Sequence, residues 1–389
     1  MSKRKFSGDH TTDKGESFDR KIFPVAHSSR YHGSSPVYKQ PIEINSYSID
    51  SDRRVWFDNR ELKYYYRATG TDLSAGYDKF IQRDESQLEH LDTLLDALTD
   101  ARSKHTDPKL TTSQFVTWRG IMTKLLCTPY SRNEPWELRV SRHKDTIFIE
   151  EQATADKKEK ERQASVRQQL MCYWGYKFET LSTVSKPPKD GVDDQELADR
   201  ILDGADTNVQ YCVAVKTTLG KNSLIMGAEV DCSEGAKCEK NPLSRYVELK
   251  TSRLVQNPNQ ERNFERYKLL KFWAQSFLVG VPKVTVGFRD DDGQIVKVED
   301  FATLNIPRLV RGKSGSWDPS VCLNFANQVL DWIADNVVAN DPTLTYSIKW
   351  NQPWRELTME YTGHDHVFLT KRFLDGETSH DLGGPRAGA

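Results

Sequence analysis

Two short segments constrain this chain more than any other feature. Gly227-Ala228-Glu229-Val230-Asp231-Cys232 and Tyr246-Val247-Glu248-Leu249-Lys250-Thr251 each interleave charge with apolar residues at a period of two. That is the period of a strand whose alternate side chains share a face. Glu229 and Asp231 are expected on one face, with Ala228 and Val230 behind them. Glu248 and Lys250 likewise share a face, backed by Val247 and Leu249. A polar loop, 233–244, separates the segments. If the two strands pair, three carboxylates and one ammonium converge on one side of a sheet. Like charges that close repel unless a cation sits among them. A hard divalent ion with oxygen ligands resolves the conflict.

The rest of the chain says what kind of body must hold them. Its 389 residues suffice for one large domain or two ordinary ones with a real core. With 55 basic and 56 acidic residues there is no global field toward nucleic acid, so any basic surface must be local. Cys127, Cys172, Cys212, Cys232, Cys238 and Cys322 are scattered, with no C-x-x-C pair. Neither a zinc site nor a disulfide framework is suggested, and a reducing compartment fits. No apolar run is long enough for a bilayer span, and the N-terminus carries no signal-peptide pattern. The expectation is a cytosolic or nuclear chain without a membrane partner, Lys3-Arg4-Lys5 being a weak import signal or a solvated tail.

Residues 1–35 are polar and read as a disordered tail; 376–389 are Gly-rich and read as a flexible one. Between them, 36–375 form one unit. A strand is expected at 62–66 and a helix at 86–101, from the spacing of Leu88, Leu91, Leu94, Leu95 and Leu98. A second helix is expected at 113–127, with Ser113 as its N-cap and Pro129 barring continuation. A hairpin follows at 136–149, then a helical, aromatic 170–181, and strands at 209–216 and 223–226. A helix at 263–278, a hairpin around Asp291-Asp292-Gly293, a long helix from Pro319 and a terminal strand pair complete the chain. Strands and helices mix without strict alternation, which predicts a single α+β domain.

An acidic residue on one strand followed by Glu-x-Lys on the next resembles the arrangement of metal-dependent phosphodiesterases. Phosphoryl hydrolysis puts negative charge on the non-bridging and leaving oxygens, which divalent ions offset while acidifying a bound water. A lysine can hold that water or stabilise the charge. In a chain that is 29% charged, such triplets also arise as solvated strand faces. Further candidates are Glu179, at the end of Gly175-Tyr176-Lys177-Phe178-Glu179, where the glycine allows close backbone approach, and Gln275 in Trp273-Ala274-Gln275-Ser276. Arg119, in Trp118-Arg119-Gly120, sits in an otherwise apolar helix. A buried arginine needs an anion, either a phosphate or a core carboxylate.

These segments together resemble the DXO family of RNA 5′-end decapping nucleases, including its fungal Rai-type members. The resemblance runs from about Ser48 to Asp341. It rests on Trp118-Arg119-Gly120, the Gly175–Glu179 run, Gly227–Asp231, Glu248-Leu249-Lys250 and the run from Lys271 to Leu278, in the family's order. It implies two twisted mixed β-sheets flanked by helices, with an active-site pocket between them. It implies Mg²⁺ or Mn²⁺ held by Glu179, Asp231, Glu248 and the Leu249 carbonyl, with Glu229 a ligand directly or through water. Lys250 and Gln275 are implied to position the water or scissile phosphate, and Arg119 to bind RNA phosphate beside Trp118 and Gly120. Arg53 and Glu89 match substrate-side positions. Cys212 stands where some members have an acidic substrate contact. The implied substrates are RNA 5′ ends bearing a triphosphate, an NAD cap or an incomplete cap. The implied partner is a Rat-type nuclear 5′→3′ exoribonuclease, some relatives carrying exonuclease activity themselves. The alternatives are a non-catalytic activator of such an exoribonuclease, or a DNA-cutting nuclease built on the same strand pattern.

Overall fold

A computed structural model describes residues 20–376, apart from Thr69 and Asp365. Among the described residues no helix is long and apolar enough to cross a membrane. Two mixed sheets form the frame, one of ten strands and one of six. In the large sheet the strand Asn222–Glu229 is central, parallel to Phe115–Trp118 and antiparallel to Gln210–Leu219. In the small sheet Tyr246–Arg253 runs parallel to Lys283–Arg289 and antiparallel to the two-residue strand Cys232–Ser233. The mixed α+β architecture expected from the sequence is the one observed.

Helices cover the faces because each carries one apolar stripe. Helices Arg119–Cys127, Leu270–Val279 and Pro319–Asn336 bury Leu125, Trp273 and Phe325 in the main core with strands of the large sheet. Helix Asp92–Lys104 packs Leu94, Leu95 and Leu98 against Val116 and Ile225 of the large sheet. Helix Val166–Leu181 packs Tyr173, Trp174, Phe178 and Leu181 on Cys232, Val247 and Leu249 of the small sheet. A capping box at Ser165 and Gln168 starts that last helix, and its docked face fixes Glu179.

Several boundaries differ from expectation. The stretch 1–35 was expected to be a disordered tail, yet Lys21–Pro24 is a strand paired with Glu356–Gly363, and Tyr31 is buried. Few hydrophobics sit there, but Phe23 packs on Phe325 and Trp332, a contact no local pattern announces. Residues 1–19, with Lys3-Arg4-Lys5, and 377–389 lie outside the described residues. The first leucine helix begins at Asp92, and Leu88 is 76% exposed. The expected helix at 113–127 is two elements, because Phe115–Trp118 is a strand. Ser113 is no N-cap: its hydroxyl donates to the Phe115 carbonyl. A short apolar run buried on both faces reads alike as strand or helix. The helix expected at 263–278 starts at Pro258, and its middle turn, Phe264–Leu269, is π-wound.

The two charged segments do not pair along their length. The strand Asn222–Glu229 belongs to the large sheet and Tyr246–Arg253 to the small one. Only Cys232 and Ser233 lie opposite Val247 and Tyr246. The chain crosses between sheets at 230–231, and that crossing brings Asp231 to Glu248. Gly227 precedes it for a steric reason. A Cβ there would lie 2.4 Å from the Trp118 ring and 3.1 Å from Leu94. Gly227→Ala is therefore expected to cost about 1–3 kcal/mol by overpacking, read as a lower urea midpoint at unchanged slope.

Candidate active site

Glu179, Glu229 and Asp231 line one cleft of ≈ 510 Å³, walled by Tyr211 of the large sheet and Val184 of the small one. Each arrives by a different route. Glu179 ends the helix docked on the small sheet, Glu229 ends the central strand of the large sheet, and Asp231 sits on the crossover. Glu248 and Lys250 come from the small sheet, two residues apart on one face.

The charges are tightly coupled. The Lys250 ammonium lies 2.6 Å from Glu248 Oε1 and 3.7 Å from Asp231 Oδ2, so one cation spans both carboxylates. The Leu249 amide donates to Asp231 Oδ2 at 2.6 Å. The Arg119 guanidinium caps Glu248 at 3.2 Å. The side chains of Asp231 and Glu248 are only 9% and 2% exposed. Burial pushes Asp231 up to about 7, against the pull of Lys250. Burial would raise Glu248 too, but Arg119 and Lys250 outweigh it and hold it down at about 2. Burial and then the charge on Asp231 drive Glu179 well above the usual carboxylate range. Desolvation raises Glu229, although it still faces solvent. Burial opposes the charge on Lys250, yet Glu248 and Asp231 raise its pKa.

The donor set suits a hard divalent cation: it is all oxygen, and the carboxylates repel one another in a low-dielectric floor. Among the described residues, however, no three acidic, His or Cys groups stand close enough to hold one ion. The carboxylates share the lysine instead.

The other sequence candidates fall at graded distances. Arg119 is the first residue of its helix, not an interior one, and its partner here is a carboxylate. Trp118 donates its indole N–H to the His90 carbonyl at 3.3 Å. Arg53 donates to Glu89 at 2.9 Å and to Gln210 at 2.7 Å, and Gln210 donates to Glu229 at 3.0 Å. Arg53 and Glu89 thus reach the acidic floor through Gln210. Cys212 is the cross-strand neighbour of Glu229 but is buried under Tyr47 and Ala97, and burial raises its thiol. Gln275 makes no hydrogen bond to the carboxylates; Lys271 and Lys268 lie one and two turns before it. Nothing stands within 4 Å of a Cβ at Gly120 or Gly175, so close protein backbone does not explain either glycine.

Two residues were missed. Gln210 sits two positions before Cys212, on the same strand face, but a lone glutamine at a strand start carries no local signal. Lys177 lies within the Gly175–Glu179 run, where a central lysine reads as a solvated helix face; it is fully buried.

A mixed two-sheet frame that brings carboxylates and a lysine together from both sheets defines a metal-dependent hydrolase of the nuclease class. Comparison with known proteins specifies it further. The profile of the RAI1-like PD-(D/E)XK nuclease family matches residues 39–374, and the chain belongs to that family. It is 39% identical over 376 residues to the decapping nuclease RAI1 of Neurospora crassa, covering 92% of this chain and 88% of that one. It is 38% identical over 363 residues to the decapping and exoribonuclease protein of Xenopus laevis, covering 89% and 88%. The crystal structure of Candida albicans Rai1 in complex with pU5 and Mn²⁺ superposes with a TM-score of 0.83 at 29% identity, covering 92% of this chain and 98% of that one.

Proposed function

We propose that this chain is an RNA 5′-end quality-control hydrolase. It removes pyrophosphate from 5′-triphosphate RNA, NAD from NAD-capped RNA and the cap dinucleotide from incompletely capped RNA. Each reaction leaves a 5′-monophosphate. The observation that carries the reading is the lysine-bridged pair of buried carboxylates, Asp231 and Glu248, beside the ≈ 510 Å³ cleft lined by Glu179 and Glu229. The names of the Neurospora and Xenopus relatives support decapping.

Glu179, Asp231, Glu248 and the Leu249 carbonyl would hold Mg²⁺ or Mn²⁺, with Glu229 joining directly or through water. The ion supplies charge neutralisation at the phosphate oxygens and acidifies a bound water. Lys250, which spans two of these carboxylates, would stabilise charge on the scissile phosphate, and Gln275 would position the water or phosphate with it. Arg119 points its Nη1 at the Glu248 carboxylate and would take a phosphate oxygen when substrate enters beside Trp118 and Gly120. Arg53 and Glu89 orient Gln210, which steers Glu229. Cys212 lies beside Glu229 and shapes the substrate side.

An intrinsic 5′→3′ exonuclease activity is the second reading, favoured by the Xenopus relative's name. A Rat-type nuclear exoribonuclease partner and a nuclear location follow from the motif resemblance. A vestigial activator is disfavoured because the acidic positions and Lys250 are all present and converge.

The test is product analysis with triphosphate-, NAD- and guanosine-capped RNAs carrying an internal label. Pyrophosphate, NAD or cap dinucleotide plus intact monophosphate RNA supports the proposal; no 5′-end product from any of the three defeats it. Mononucleotides from the internal label establish the exonuclease reading, and cleavage of duplex DNA without an RNA requirement would favour the DNA nuclease. A companion expectation concerns the ion. At a hundredfold excess over its dissociation constant, Mn²⁺ should stabilise the fold by about 2.7 kcal/mol, and EDTA should reverse the thermal shift.

A further inference from the structure

The strand Asn222–Glu229 has a cavity at each end, and the two carry opposite charge. Glu229 lines the acidic cleft, while Ser223, six residues earlier, lines a cavity of ≈ 750 Å³. At strand rise the two lie about 20 Å apart. Arg102, Lys109, His143, Lys144 and Lys216 converge on this second cavity, and among the described residues Asp145 is the one carboxylate on its wall. Asp145 faces solvent, 3.9 Å from Arg142. Among the described residues none of the five basic side chains has a carboxylate partner within 4.0 Å. Asp107, two residues before Lys109, caps the Lys109 amide at 2.9 Å.

The wall is built rather than incidental. The Lys216 ammonium donates to the Lys109 and Thr112 carbonyls, tying the strand Gln210–Leu219 to the one-turn helix Pro108–Thr111 that carries Lys109. The Arg102 guanidinium lies 5.1 Å from the Phe373 ring centroid, which holds it at the rim. Thr112, Ser113 and Ser223 add hydroxyl-bearing side chains to the lining.

We propose that this cavity is a second anion site that takes the phosphate oxygens of a nucleotide-class polyanion. A monoanion would leave most of the converging positive charge uncompensated, whereas a polyphosphate or a run of phosphodiesters supplies several charges at once. Two sources share that chemistry: the downstream backbone of an RNA whose 5′ end occupies the acidic cleft, and a free nucleoside polyphosphate.

The experiment uses the full chain in EDTA, so binding is read without turnover and independently of the proposed hydrolysis. Lys109→Glu/Lys144→Glu changes two exposed side chains, and Lys240→Glu, also exposed, is the charge control. Fluorescence anisotropy with a long single-stranded RNA (about 30 nucleotides) should show about tenfold weaker binding for the double variant. The slope of log affinity against log salt should drop by about 1–2, while a tetranucleotide is unaffected. That result assigns the RNA backbone as ligand. If the source is a free nucleotide, ADP or tripolyphosphate raises the Tm of the wild type. The shift is lost in the double variant and kept in the control. Either pattern supports the site. Equal behaviour of wild type and double variant toward long RNA, ADP and tripolyphosphate overturns it.

Discussion

Glu229→Ala/Asp231→Ala abolishes metal-dependent release of pyrophosphate or NAD, by about a thousandfold or more, while the protein keeps its fold. The two halves of this expectation have one cause. Burial pushes Asp231 up to about 7, and it raises Glu229 as well, so the folded state holds both charges at a cost. Removing them relieves that cost, offset by the loss of the Leu249 amide's acceptor and of one partner of Lys250. Glu248 still holds the lysine. Net stability is expected to change by less than about 1 kcal/mol. Product release and thermal melting measured on one preparation check both halves. Turnover equal to wild type would remove these carboxylates from the chemistry. Glu229→Gln, which keeps shape and loses only the charge, should show the same loss of activity.

Lys177→Met should strongly destabilise the helix that carries Glu179. The side chain is fully buried, and its ammonium donates to the carbonyls of Arg200 and Ile201 at 3.0 Å and of Asp203 at 2.6 Å. Those carbonyls end the helix Asp194–Leu202, where a cation is favoured by the helix dipole. Methionine fills similar space but removes the ammonium that joins these three carbonyls, at a cost of about 2–4 kcal/mol. Because Arg200, Gly204 and Asp206 also line the cleft, activity per folded molecule should fall as well. Urea unfolding measures the first effect, and turnover scaled to the folded fraction the second. A loss under about 1 kcal/mol would show that water replaces the ammonium without consequence.

The alternation of the two charged segments was legible because it is local, although the first breaks after Glu229 and resumes at Cys232. Pairing between the segments is confined to Cys232 opposite Val247. The side chains converge across a crossover between sheets, and a period of two carries no record of which sheet a strand joins. The same limit explains Phe115–Trp118, whose burial on both sides erases the periodic signal, and Lys21–Pro24, whose strand exists only because the distant Glu356–Gly363 offers an edge. At the site, Glu179, Glu229, Asp231, Glu248, Lys250 and Arg119 were identifiable by residue type and motif order. Gln210 and the interior position of Lys177 were not, since both depend on partners far along the chain.

Sequence alone determined the chemistry available: oxygen donors in excess, one lysine two residues after a glutamate, and motifs in a fixed order. Tertiary structure decided which of those groups share charge. The chain leaves the large sheet at Glu229 and enters the small one at Cys232, which places Asp231 on the same ammonium as Glu248. Electrostatic coupling falls off over a few ångströms, so spatial proximity rather than order along the chain sets which charges interact.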